Sequence, residues 1–123
     1  MKSSRGQNLV ELALLLPILL LILAGMVDLG RGVHAYTIIT NAAREGARYG
    51  SMHPDEIAFI QARAISEAEG SGIELTPSNV QVSTSTSGNP IRVTVTYTLT
   101  LITGLILGGE EIQLQSSVEM IIF

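Results

Sequence analysis

The sequence has no cysteine, two histidines and only seven lysine and arginine residues in 123. Each shortage closes off a class of chemistry. Without thiols there is no disulfide framework, no thiolate nucleophile and no thiolate zinc site, although the absence is neutral about compartment because many exported proteins lack disulfides. The few bases, two of them before residue 6, stand against eleven acids for a net charge of -4. That balance lacks the basic footprint nucleic acid requires, so no polyanion partner is implied. His34 and His53 occur in none of the His-x-x-x-His or His-Glu-x-x-His spacings that hold a metal. Ser83, Ser85 and Ser87 cluster in solvent-facing text with no Gly-x-Ser-x-Gly around any of them, and no phosphate-cradling glycine loop is present. Asp55 and Glu56 read as charges in the first turn of a helix. The reading is of a chain that is not an enzyme and that uses no metal or cofactor.

What is abundant is apolar surface at one end. Mean hydropathy is +0.41, an excess over an ordinary globular composition that is concentrated in the first thirty residues. Residues 9–27 contain one acid, one proline and no base. As a helix they would extend roughly 28 Å at about 1.5 Å per residue, enough to span a bilayer. Lys2 and Arg5 precede this run, whereas Asp28 beside Arg31 follows it. Positive charge is retained on the cytoplasmic side, which puts the N-terminus inside and everything after about residue 30 outside. A cleavable secretory signal needs a shorter apolar region and a small-x-small site, and Gly25-Met26-Val27 offers none. The helical rhythm instead continues through VHAYTIITNAAREGARYG, so one helix is expected from about residue 8 to residue 49. Pro17 removes a backbone donor and predicts a kink or a locally melted segment, with further weakness at Gly25, Gly30 and Gly32.

Glu11 lies two residues inside the apolar run, where an ionised acid costs on the order of 2.5–3.5 kcal/mol at mid-bilayer and less near an interface. On its own it can snorkel to the interface, with Gly6 a flexible residue before the helix. The wider pattern is a basic leader, Gly6, polar Gln7 and Asn8, Glu11 fifth after the glycine, then an unbroken apolar helix. This resembles the processing site of type IV prepilins, and the resemblance implies cleavage between Gly6 and Gln7 by a prepilin peptidase. It also implies that Glu11 pairs with the new amine of a neighbouring subunit as the helices, kinked or softened at Pro17, pack into a filament. An acid in low dielectric is tolerable when paired or protonated, and assembly could supply the pair.

With AREGARYG at residues 43–50 added, the chain is similar to the TadE-like family, pilin-like proteins of the tight-adherence pilus system. The similarity covers residues 4–50 well and the remainder only in its order of helix and then strands. Major pilins of that system are very short and usually carry tyrosine directly after the acid, whereas Leu12 follows Glu11 here. The resemblance therefore implies a minor pseudopilin, with other pilins, pilus assembly proteins, a homo-oligomer or a filament as partners and the bacterial inner membrane as its location. Residue by residue, Ala42, Gly46 and Gly50 also form a smooth strip on which a sheet or helix can pack closely. Arg44 and Arg48 are expected to be solvated or paired with Glu45, Glu67 or Glu69.

The remainder reads as a small domain. His53-Pro54-Asp55 breaks the long helix, and a second helix is expected from about Pro54 to Glu69 with Ile57, Ile60, Ala64 and Ala68 on its apolar face and Gly70-Ser71-Gly72 at its end. Ile91, Val93, Val95, Tyr97, Leu99 and Leu101 alternate with Arg92 and four threonines, and Leu114, Val118, Met120 and Ile122 repeat the signal from Ile112. Val80 and Val82 begin a weaker strand, with a turn at Gly88-Asn89-Pro90. The expected class is α+β: a long N-terminal helix, a shorter one, and a three-stranded antiparallel sheet. Along the chain this gives a leader over residues 1–6, a transmembrane and assembly helix over 7–28, and an extracytoplasmic pilin-like domain over 29–123. Apolar text at Leu105, Ile106 and Leu107 is a candidate loop for contact with the membrane surface or a neighbouring subunit, or else tucks under the domain. A reading from another class is a single-pass anchored binding module that never enters a filament, with specificity in loops around Ser71 and Ser87.

Overall fold

The structure of the protein, a computed structural model, describes residues 2–84 and 90–122, with side chains from residue 4 onward. Its element order is α1 (Lys2–Met52), α2 (Ile57–Gly70), a 3-10 turn (Pro77–Asn79), β1 (Val80–Ser83), β2 (Pro90–Thr100), α3 (Ile102–Leu107) and β3 (Glu111–Ile121). The strands form one antiparallel sheet in the order β1-β2-β3, and the class is α+β. Of the expected Gly88-Asn89-Pro90 turn only Pro90 is among the described residues, and Ser85 and Ser87 lie outside them.

The chain forms two compact units. One comprises Met1–Arg31 and Thr100–Glu111, the other Gly32–Leu99 and Ile112–Phe123.

The second unit holds the core. On α1, Ala35, Ile38, Ile39, Ala42, Ala43 and Ala47 are buried, a stripe recurring every three or four residues. Ile60, Ala64 and Ala68 of α2 and Val80, Ile91, Val93 and Val95 of the sheet belong to the same cluster. Full burial of one such isoleucine or valine contributes about 1.5–3 kcal/mol. Register follows the apolar alternation: Val80 faces Val95 and Val82 faces Val93 across β1 and β2. A one-residue slip of β1 would turn Val80 and Val82 out of the core. On the opposite face, Thr94 Oγ1 and Ser117 Oγ share a hydrogen bond of 2.8 Å, and Arg92 pairs with Glu119.

Helix α2 stops in a Schellman arrangement. The Ile73 N–H donates to Ala68 O at 2.9 Å and the Gly72 N–H to Glu69 O at 3.1 Å, with Gly72 at φ +96°. A left-handed residue is required there, and glycine takes that conformation without a Cβ clash.

Several expectations are corrected. α1 is helical from Lys2 to Met52, so it starts earlier than residue 8, and no melted segment interrupts it at Pro17 or at the three glycines. One absent donor removes a single bond from a long cooperative ladder, which the neighbouring turns sustain. α2 begins at Ile57, because residues 53–56 form a turn closed by the Glu56 N–H on His53 O at 3.2 Å. Asp55 and Glu56 therefore precede the helix, and Ile57, on its first turn, is exposed. In β3 the inward position between Leu114 and Val118 is Ser116, buried and hydrogen-bonded to Thr40 of α1 at 2.8 Å, while Ile112 is exposed. The apolar text after β2 is a short helix, α3, and Leu105, Ile106 and Leu107 are exposed on it.

Candidate assembly segment

Residues 9–27 occupy the first half of α1, which is long and apolar enough to cross a membrane and leaves its apolar side chains uncovered by the rest of the chain. A helix apolar on every side is at rest in lipid or against other apolar helices, not in water. Gly6, Gln7, Glu11 and Pro17 all lie on this helix and all are exposed. Nothing stands within 4 Å of where a Gly6 side chain would begin. Gln7 and Glu11 are four residues apart, on the same face one turn from each other.

The end of the apolar run is marked by a residue whose role was not legible in the sequence. Asp28, only 6% exposed, accepts hydrogen bonds from the Ile102 N–H at 2.8 Å, the Thr103 N–H at 2.9 Å and the Thr103 hydroxyl at 2.8 Å. Arg31 donates to Asp28 at 3.2 Å and to Thr100 O at 3.1 Å. The carboxylate thus caps α3 from another segment of the chain, satisfying two of the orphan donors that open a helix. A buried acid needs such partners. The only signal for it in the sequence is an acid three residues before an arginine directly after the apolar run, a pattern that flanking charge accounts for equally well.

The other residues singled out from sequence lie in the second unit. Ala42, Gly46 and Gly50 line the buried face of α1. A Cβ on Gly46 would stand 3.3 Å from Val93 and 3.4 Å from Ala64, and one on Gly50 would press into Ile91 and stand 3.0 Å from Ile60. Close approach of α1 to both α2 and β2 therefore depends on the missing side chains. Arg44 is exposed. Arg48 makes a two-pronged contact with Glu45, at 2.7 and 3.1 Å, and Arg63 of α2 lies 3.8 Å from the same carboxylate. Glu67 and Glu69 take no part in these pairs. The Arg48 hydrogen bonds hold the Glu45 carboxyl below its ordinary value against the opposing effect of desolvation, and the charges of Arg48 and Arg63 add to the lowering. Beside them, Tyr49 stacks on His53 with ring centroids 4.6 Å apart, carries the Arg63 guanidinium 5.1 Å from its centroid, and donates its hydroxyl to Glu56 at 2.6 Å. This elbow is a set of mutually satisfied side chains. Among the described residues there is no group of three His, Asp or Glu able to hold a metal ion.

No curated protein and no solved structure matches the chain. Residues 6–48, which contain Gly6, Glu11, the whole apolar run and the start of the small-residue strip, match the family described as TadE-like protein, so over this part of α1 the chain is similar to that family.

Proposed function

We propose that this is a non-catalytic, pilin-like membrane protein that acts in the assembly or structure of a Tad-type pilus. The observation that carries the reading is that the TadE-like match begins at Gly6 and takes in both Glu11 and an apolar helical run left bare by its own chain. In this reading a prepilin peptidase in the inner membrane cuts between Gly6 and Gln7, and the body after about residue 30 is extracytoplasmic. Cleavage creates a charged amine on Gln7, one helical turn from Glu11 of the same chain. In a packed array of such helices, the amine of one subunit and the carboxylate of another offset along the axis neutralise each other, so two charges that are costly singly in lipid become tolerable together. Pro17 leaves one carbonyl without its helical donor in the middle of the run, a point at which the helix can bend or unwind as it packs.

Intact mass and N-terminal sequencing of the protein from its host's membrane and sheared surface fractions test this. A chain beginning at Gln7, with cleavage lost in Gly6→Leu, is expected. Mature protein beginning at Met1 would overturn prepilin processing and leave an anchored binding module as the account.

A further inference from the structure

α3 is held in place by polar bonds while its apolar side chains are left bare. Leu105, Ile106 and Leu107 are 76%, 60% and 69% exposed, and no charged residue occurs from Ile102 to Gly109. We propose that α3 is an interfacial foot, with these three side chains entering the boundary between headgroups and acyl chains of the same bilayer that residues 9–27 cross. The inference rests on the reading of that run as a membrane span.

Three features argue for lipid as the occupant. The first is depth. Asp28 is the residue directly after the apolar run, and it binds the first two backbone N–H groups of α3. An ionised Asp28–Arg31 pair belongs at the membrane boundary and not at its centre, so the tether sets α3 at that level. Exposed Met26, Val27 and Leu29 flank the tether residue, so the surface that meets lipid on α1 continues up to the attachment point.

The second feature is rigidity. The Leu101 N–H donates to Glu110 O at 3.2 Å, and the Gly108 and Gly109 N–H groups both donate to Gly104 O. A Cβ on Gly104 would stand 2.5 Å from the Glu110 backbone nitrogen, so only glycine allows the segment to close on itself. Gly108 and Gly109 have φ of +131° and +76°, values that other residues rarely adopt. The backbone groups at the neck of the loop are thereby paired within the chain, as entry into a region poor in water requires.

The third is charge. Glu110 and Glu111 follow the loop and no base lies within it, so attraction to anionic headgroups plays no part. Insertion would be driven by apolar area and would not be strengthened by anionic lipid in the membrane.

The absence of cysteine makes the test direct. Single-cysteine chains Ile106→Cys, Leu19→Cys and Gln81→Cys carry an environment-sensitive fluorophore in phosphatidylcholine vesicles containing lipids with nitroxides at shallow or deep positions. The Ile106→Cys label should be quenched more by the shallow nitroxide, the Leu19→Cys label more by the deep one, and the Gln81→Cys label by neither. Serine at both Leu105 and Leu107 should lower quenching of the Ile106→Cys label about threefold or more while leaving the Leu19→Cys pattern unchanged. Anionic lipid should increase none of these values. If Leu19→Cys is quenched deep but Ile106→Cys is as open to aqueous iodide as Gln81→Cys, the foot is overturned and the span stands. If the Ile106→Cys label is shielded only at high protein density, a second copy covers α3 and the lipid assignment falls. If Leu19→Cys is not quenched, the span fails and the foot with it.

Discussion

The two halves of α1 are one unbroken helix with opposite relations to the rest of the chain. Residues 12–27 are apolar on every side, with Leu14 and Leu19 67% and 55% exposed, whereas residues 35–47 bury one stripe built from four alanines and two isoleucines. The difference teaches that on α1 a large apolar side chain does not by itself mark the core. The core is made where side chains on α1 are small enough for α2 and the sheet to approach the helix closely, and the leucines of residues 9–27 take no part in it.

That contrast is sharpest in the response to truncation. In detergent-solubilised full-length protein, Ile39→Ala should cost about 2–5 kcal/mol, because Ile39 is wholly buried and its removal leaves a cavity. Leu19→Ala should cost less than about 0.5 kcal/mol in the same assay, since Leu19 lies outside the core and more than half of it is exposed. Chemical denaturation followed by circular dichroism measures both, and equal costs would erase the distinction between the halves. A smaller effect is expected from enlarging the strip. Gly50→Val should destabilise by about 1–3 kcal/mol, limited by how far the ends of the Ile91 and Ile60 side chains can move aside. The same change at Gly25, which has open space around it, should leave the melting temperature within experimental error.

Next in size is the tether. Asp28→Ala removes the cap of α3 and should cost about 1–2 kcal/mol, felt locally. Faster hydrogen exchange at Ile102 and Thr103, with unchanged protection of β2 residues Val93 and Val95, is the signature; slowed or unchanged exchange at 102–103 would show that the cap is not holding the helix.

The smallest effect is set by pH. Glu45 has a folded-state pKa below its unfolded value, so its contribution is fully present above the ordinary glutamate range and is lost as pH falls through the lowered value. The stability difference between wild type and Glu45→Gln should therefore be present at neutral pH and shrink on acidification below that range. A difference that grows on acidification would contradict the pairing with Arg48.

Much of this was legible in the chain. Period-two alternation from Ile91 to Leu99 located β2, because a half-buried strand must turn every second residue inward, and the small residues of AREGARYG marked the packing face of α1. His53-Pro54 marked the break after the long helix, although α1 runs on to Met52, past the expected end near residue 49. The start of α2 was less legible, since a proline suits both the first turn of a helix and a preceding tight turn, and the choice depended on the Glu56 N–H bonding back to His53 O. Ser116 was passed over as an interruption in an apolar series. Its inward place is tolerable only because Thr40, distant in sequence, meets its hydroxyl.

By itself the sequence determined the apolar run, the Gly6 and Glu11 spacing at its start, the order of the two longer helices and the three strands, and the absence of thiol chemistry, because each of these is a matter of local composition and period. Tertiary structure alone decided that Asp28 would serve as a cap, that the apolar text after β2 would be a bared helix, and that Glu45 would be shared by Arg48 and Arg63. A buried charge, a cap supplied from another segment and a shared carboxylate depend on which distant groups arrive within about 3 Å, and nothing in the local pattern carries that distance.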